Sequence, residues 1–224
     1  MGLPVTGPLS IYNIRAEVGG STTGVSLNSL SATAGFSTPP YEISDFYGYT
    51  TPGLTGVLDT ETLTSSTSWS QYTLNLVNYG DAKLVIAYTS GTSYTGDIQI
   101  GGPIVCGSTT FNPNNTTPTW QTSRSGETTY SSVVWNTVLD GATSLRWNRR
   151  NTAPSSGGTG LAPVSPVNYF YYAETSSPGY SNRLFWLRSP TFNINSSNKT
   201  LSFYLANYGA TVNNFKVYLD MQQM

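Results

Sequence analysis

No histidine stands anywhere in this chain, and its one cysteine is Cys106. Ser-His-Asp and Cys-His nucleophile arrangements are therefore excluded, as are zinc sets built on histidine or several cysteines. A lone cysteine with no base to activate it reads as a small buried apolar side chain, and an intramolecular disulfide framework is excluded too. Carboxylates are what remain for acid–base chemistry. A glycosidase needs two of them facing each other across a cleft, one with a raised pKa. Glu127 and Glu174 lie on or beside predicted strands, and Glu174 shares its face with Phe170 and Tyr172. That face fits either an aromatic sugar platform or a rim carboxylate beside core aromatics; the second is the simpler reading, so the chain is read as no enzyme and no catalytic residue is assigned. Asp59, Glu61, Asp97 and Asp220 are spare oxygen ligands, but calcium needs about six to eight converging oxygens. No metal and no cofactor is expected. The Gly-Gly pairs sit in turns, not between a strand and a helix, so they cradle no phosphate.

Binding is better supplied than catalysis. Sixteen tyrosines and five tryptophans are more than a core of this size needs, and such rings offer a flat apolar face with a polar tip, suited to sugars or protein partners. The candidate ligand-binding residues are Trp120, Trp147 with the adjacent Arg149 and Arg150, Tyr180 and Arg183; Trp69, Trp135 and Trp186 are assigned to packing. Arg149-Arg150 also fits a solvated turn. A net charge of −1 over 224 residues gives no footprint for nucleic acid or an anionic membrane. No charged leader with an apolar run opens the chain, and no apolar stretch approaches the roughly 18 residues that span a bilayer. The expectation is a soluble chain with no membrane insertion.

The elements that must position these residues are strands. From Leu184 to Asp220, β-branched and aromatic residues alternate with polar ones in three runs: Leu184 to Leu187 closed by Ser189-Pro190, Leu201 to Leu205, and Phe215 to Leu219. The last puts Phe215, Val217 and Leu219 on one face, which must be buried against another layer. Further strands are predicted over Tyr72 to Val77, Lys83 to Thr89, Asp97 to Ile100, Tyr130 to Val138 and Tyr169 to Glu174, with long loops over 107–119 and 153–166. Low charge and abundant Thr, Ser, Asn, Gly and Tyr suit such a β-rich chain. The fold class is mainly β, an antiparallel two-sheet sandwich of jelly-roll type over 54–224.

Residues 1–50 read differently, as a small module of short helices. Ser10 caps one in which Ile11, Ile14 and Val18 fall at helical spacing; Ser26 caps a second carrying Leu27 and Leu30; Ser44 caps a turn within Ile43 to Tyr47. So small an apolar set must lean on another surface. Leu9, Ile11, Ile14, Val18, Leu27, Leu30, Ile43, Phe46 and Tyr47 are its anchoring or assembly residues. Thr50 to Gly53 (TTPG) is the joint, with 51–53 as linker.

Two resemblances follow. LPVTGPLSIYNIRAEVG (Leu3 to Gly19), VSLNSLSATAG and ISDFYGYT (Ile43 to Thr50) resemble a short module of tail and other virion proteins of tailed bacteriophages. Within the sandwich, LRWNRRNTAPSSGGTG (Leu145 to Gly160), YFYYAET (Tyr169 to Thr175), LRSPTF (Leu187 to Phe192) and LSFYLANYG through VYL (Leu201 to Leu219) look like the first half of a MAM-type domain, a concanavalin-like jelly roll used in adhesion. The counterpart of that family's second half, Ser68 to Val105, comes first here. The order implies a circular permutation, or pairing of each half with that of a neighbouring chain. The family's paired acids after its "GDIAI" strand are replaced by Gly101-Gly102, and its cysteines are missing, which fits assembly in a reducing cytoplasm.

The resemblances imply a bacteriophage virion structural protein, assembled in the host cytoplasm and exposed on the particle. The first expectation is a fibre, spike or tail-associated adhesin that binds host-surface glycan or protein through an exposed tyrosine-lined face. A head or tail decoration protein comes next, and a glycan-degrading jelly roll third. Its partners would be other virion proteins and copies of itself, since virion positions are symmetric.

Overall fold

The structure is a computed structural model that describes residues 3, 7–8, 10–18, 26–27, 30, 42–43, 53–77, 80–115, 119–141, 145–154, 159–175, 182–194 and 199–221. In chain order these form the helix α1 (Ile11–Val18) and the strands β1 (Gly53–Leu54), β2 (Asp59–Thr62), β3 (Ser70–Asn75), β4 (Gly80–Thr89), β5 (Ile98–Cys106), β6 (Thr109–Phe111), β7 (Gln121–Thr122), β8 (Asn136–Thr137), β9 (Trp147–Arg150), β10 (Phe170–Ala173), β11 (Leu184–Ile194), β12 (Thr200–Ala206) and β13 (Asn214–Met221). They make two antiparallel sheets packed face to face. One runs β1-β13-β4-β11-β7-β8, with β2 also on β13; the other runs β3-β12-β5-β10-β9, with β6 also on β5. Most connections cross from one sheet to the other, and across the core β11 of the first sheet approaches β5 and β9 of the second.

The period of two sets the packing. Phe215, Val217 and Leu219 of β13, Leu84, Ile86 and Tyr88 of β4, and Phe185 and Leu187 of β11 meet Tyr72, Ile98, Ile100, Leu201, Phe203 and Tyr171 of the other sheet in one core. β4 and β5 are buried on both faces, because loops cover the outer faces. On the first sheet, Val133, Trp135 and Tyr130 lie over Val85, Ala87 and Trp186. On the second, Val167 and Trp69 lie over Phe170, Tyr172 and Tyr204. Gly101 of β5 sits under that cover: a Cβ there would stand 2.6 Å from Val167 and 2.9 Å from the Trp69 ring. Glycine is thus required at this position, and the reason is packing.

Several expectations are corrected. Ser189-Pro190 does not close a strand; β11 runs through it as a bulge, its register on β4 shifting between Arg188 and Thr191. Tyr130 to Val138 is no strand but a 3-10 turn (Tyr130–Ser132) followed by the two-residue β8. The predicted loop 107–119 contains β6, and β9 stands where Arg149-Arg150 also fitted a turn. β4 lies between β13 and β11.

In the N-terminal segment, Ser10 Oγ accepts the Asn13 N–H at 3.2 Å and Asn13 Oδ1 accepts the Ser10 N–H at 3.1 Å, a reciprocal cap at the start of α1. Ile14 and Leu30 are buried and Leu27 is half-buried, but Ile11 and Ile43 are exposed and so do not share their packing. Leu9, Phe46, Tyr47 and the side chain of Val18 lie outside the described residues.

Candidate binding cleft

At one flank of the sandwich the edge of the first sheet meets the edge of the second. Trp120 leads into β7, and its carbonyl accepts the Val138 N–H (3.0 Å) just after β8. The chain then crosses to β9: Arg149 N–H donates to the Leu139 carbonyl (2.9 Å) and Gly141 N–H to the Arg149 carbonyl (3.2 Å). This seam closes the flank and leaves a cleft of about 300 Å³ lined by Trp120, Thr137, Leu139, Asp140, Arg149 and Tyr171, with Asn115 and Thr119 at its margin.

Its floor is aromatic. Trp120 stacks on Tyr171, ring centroids 4.9 Å apart and planes 29° from parallel, and meets Phe111 edge-on at 5.7 Å. Its rim is ionic. The Arg149 guanidinium grips Asp140 with two parallel hydrogen bonds, Nη2 to Oδ2 at 2.7 Å and Nε to Oδ1, while Nη1 donates to the Pro113 carbonyl at 2.9 Å. The guanidinium also lies over the Tyr169 ring, 5.3 Å from its centroid. The Arg149 side chain is 10% exposed and that of Asp140 67%. The hydrogen bonds from Arg149 hold the Asp140 carboxyl below its ordinary pKa, so it stays an anion that faces solvent. Trp120 and Tyr171 are each 3% exposed, so the stacked pair is a packed base beneath the cleft. What the cleft offers a ligand is the exposed Asp140 carboxylate beside the exposed Leu139 side chain, which suits hydroxyl donors next to an apolar edge, as in a pyranose.

The structure brings Trp120 and Arg149 together and separates the other candidates. Trp147 is a correction: it is 1% exposed, packed edge-on against Tyr88 in the core, and out of reach of any ligand. Arg150 points to the opposite face of β9, over the Tyr172 ring at 5.7 Å. Arg183 is exposed beside Gly126, away from the cleft, and Tyr180 lies outside the described residues. Trp69 and Trp135, assigned to packing, are half-buried on the two outer faces, more open than Trp120 or Trp147; Trp186 is packed, 4% exposed. Asp140, Leu139 and Tyr171 were missed. Tyr171 alternates with the Phe170/Tyr172/Glu174 set, and that alternation was the available signal.

The Phe170/Tyr172 face is not open, because 159–167 lies across it. The Gln99 amide pins that cover, donating to the Leu161 carbonyl at 2.9 Å and accepting the Leu161 N–H. A second cavity of about 480 Å³ remains at its edge, between Trp69, Tyr204, Val164 and Pro166. Glu174 is buried, beside the wholly buried Asp97. Glu127 accepts the Val134 N–H (3.2 Å) in the segment over the first sheet. The two carboxylates therefore lie on opposite sides of the sandwich and do not face each other across a cleft. The spare oxygen ligands are dispersed as well: Asp59 with Glu61 accepts from Tyr72, Asp220 meets Tyr130 and Arg188, and Asp97 is elsewhere. Among the described residues no three His, Cys, Asp or Glu side chains converge on a metal position, and no helix is long and apolar enough to cross a membrane.

Set against protein-family models, curated proteins and solved structures, the chain matches none.

Proposed function

We propose that this chain is a virion structural protein of a tailed bacteriophage, a fibre, spike or tail-associated adhesin whose sandwich holds a host-surface glycan in the Trp120/Arg149 cleft. The N-terminal module serves assembly with other virion proteins and further copies. The phage reading rests on the N-terminal motifs, and the jelly-roll reading, MAM-like with its halves permuted, on the repeated crossing of the chain between sheets. The observation that carries the binding role is the cleft itself: an exposed carboxylate held in place by a buried arginine, above a packed aromatic pair. The tyrosine-lined face expected of an adhesin is covered by 159–167, and the flank cleft takes its place.

Decoration of a particle is the weaker reading. It needs a continuous apolar rim to bury on a lattice, whereas among the described residues the exposed large apolar side chains, Ile11, Ile43, Val57, Val77, Tyr94, Val134, Leu139 and Val164, are scattered over separate segments of the chain. Glycan cleavage is weaker still, with Glu127 and Glu174 on opposite sides. The test is binding of the full chain to a panel of bacterial surface polysaccharides. Asp140→Ala removes the solvent-facing acceptor and is expected to weaken binding about tenfold, the worth of one lost hydrogen bond to a charged group. Binding that survives both Asp140→Ala and Leu139→Asp unchanged would move the ligand elsewhere; a chain that binds no surface polysaccharide would end the adhesin reading.

A further inference from the structure

A sheet edge is a row of unpaired N–H and C=O groups, and natural sheets guard it with charge, proline, short strands or a covering segment. Three edges of this sandwich are guarded. β9 is covered by Leu139–Gly141 through the bonds at Arg149. β8 has only two residues. The edge along β13 is broken into β1 and β2, and β2 carries Asp59 and Glu61. Among the described residues β3 has none of these devices: it is six residues long, Ser-Gln-Tyr-Thr-Leu-Asn, with no charge, no proline and no shift in its register on β12.

Register fixes which groups are left over. The Leu76 N–H donates to the Lys199 carbonyl at 2.6 Å, so the pairs in step with it, Leu74 with Leu201, Tyr72 with Phe203 and Ser70 with Leu205, are those that exchange hydrogen bonds with β12. The N–H and C=O groups of Gln71, Thr73 and Asn75 therefore point away from the sheet. Among the described residues they have no partner, and all three residues are exposed.

We propose that β3 is an interface between two copies of this chain, paired antiparallel about a two-fold axis through Thr73 to join the two β3-edged sheets into one. The strand complements itself in that register. Gln71 faces Asn75 of the second copy, amide against amide, and Thr73 faces Thr73, each such pair exchanging two backbone hydrogen bonds. On the core side, the half-buried Leu74 meets Tyr72 of the second copy and loses its remaining contact with water. No like charges oppose each other, and a net charge of −1 sets up no long-range repulsion. A strand patterned with charge would find no opposite charge here, which favours the chain's own β3 over an unrelated partner. An isologous contact of this kind closes at two copies and does not propagate.

The test is sedimentation velocity of the full chain over a wide concentration range, with three variants at exposed positions. The wild type is expected to double its mass as concentration rises. Thr73→Lys places two ammonium groups face to face at the axis and is expected to lose the dimer while keeping the wild-type circular dichroism. Under mild oxidation Thr73→Cys is expected to form a covalent dimer, and Thr62→Cys, exposed on the other sheet, is not; the native Cys106 is buried and stays reduced. A wild type that is monomeric throughout overturns the proposal. So does a dimer that survives Thr73→Lys, or cross-linking of Thr73→Cys no better than that of Thr62→Cys.

Discussion

A carboxylate shut away from water must find donors or keep its proton, and Asp97 does some of each. One oxygen accepts the Thr175 N–H at 2.7 Å and the Thr175 hydroxyl at 2.8 Å; the other is buried with no partner. Burial first, and the nearby Glu174 second, push its pKa up to about 6 from an ordinary 3.8. The folded state therefore binds a proton that the unfolded chain has released, and stability falls as pH rises from 3.8 through 6. The penalty is complete above pH 7, roughly 3 kcal/mol at most. Asp97→Asn keeps an acceptor for Thr175 and removes the charge. It is expected to raise the midpoint of thermal unfolding at pH 7.5 and to flatten its fall between pH 5 and 7; an unchanged slope would remove Asp97 as the cause. Asp140 works in the opposite sense: Arg149 depresses its pKa, so its contribution is present above the ordinary carboxylate value and fades only in more acid solution. The cleft was half legible in the sequence for the same local reason. Trp120 and Arg149 are residue types that announce binding, whereas Asp140 acquires its role from a seam between two sheet edges that no spacing along the chain encodes.

The strands themselves were more legible than their ends. β12 and β13 follow from alternation, since each buries every second residue against the opposite sheet. Alternation records sidedness, however, and not hydrogen bonding. Val133 and Trp135 do alternate with exposed Val134, yet they lie on the outer face of the first sheet and not in a ladder. Arg188 helps hold that cover down: its guanidinium sits 4.0 Å from the centroid of the Trp135 ring, grips the Gln121 amide oxygen at 2.7 and 3.0 Å, and pairs with Asp220 at 3.3 Å. The break read at Ser189-Pro190 misled for a different reason. Proline marks strand ends because it lacks an N–H, but here Ser189 Oγ accepts the buried Leu84 N–H at 2.8 Å, so a side chain supplies the acceptor that the bulge takes from the ladder. Ser189→Ala leaves that N–H unsatisfied beneath two covered faces and is expected to cost about 1–3 kcal/mol in chemical denaturation. A loss within experimental error would show that β4 satisfies Leu84 some other way.

Strands from the two halves of the chain interleave at every level. β12 lies between β3 and β5, and β4 between β13 and β11, so neither half owns a closed sheet. The consequence is cooperative opening: exposing most of the core, and all of that under β4 and β12, requires separating pairs that join the beginning of the sandwich to its end. Cys106 is the natural probe. It is wholly buried at the end of β5, paired with Leu201 on one side and Thr109 on the other, and burial pushes its thiol well above the ordinary value. A thiol reagent therefore reaches it only through opening, and its labelling is expected to accelerate with urea with the slope of global unfolding. Labelling that is fast and insensitive to urea would mean instead that the β5–β6 hairpin, which turns at Gly107, opens by itself. The sandwich would then be divided where its strand order says it is whole.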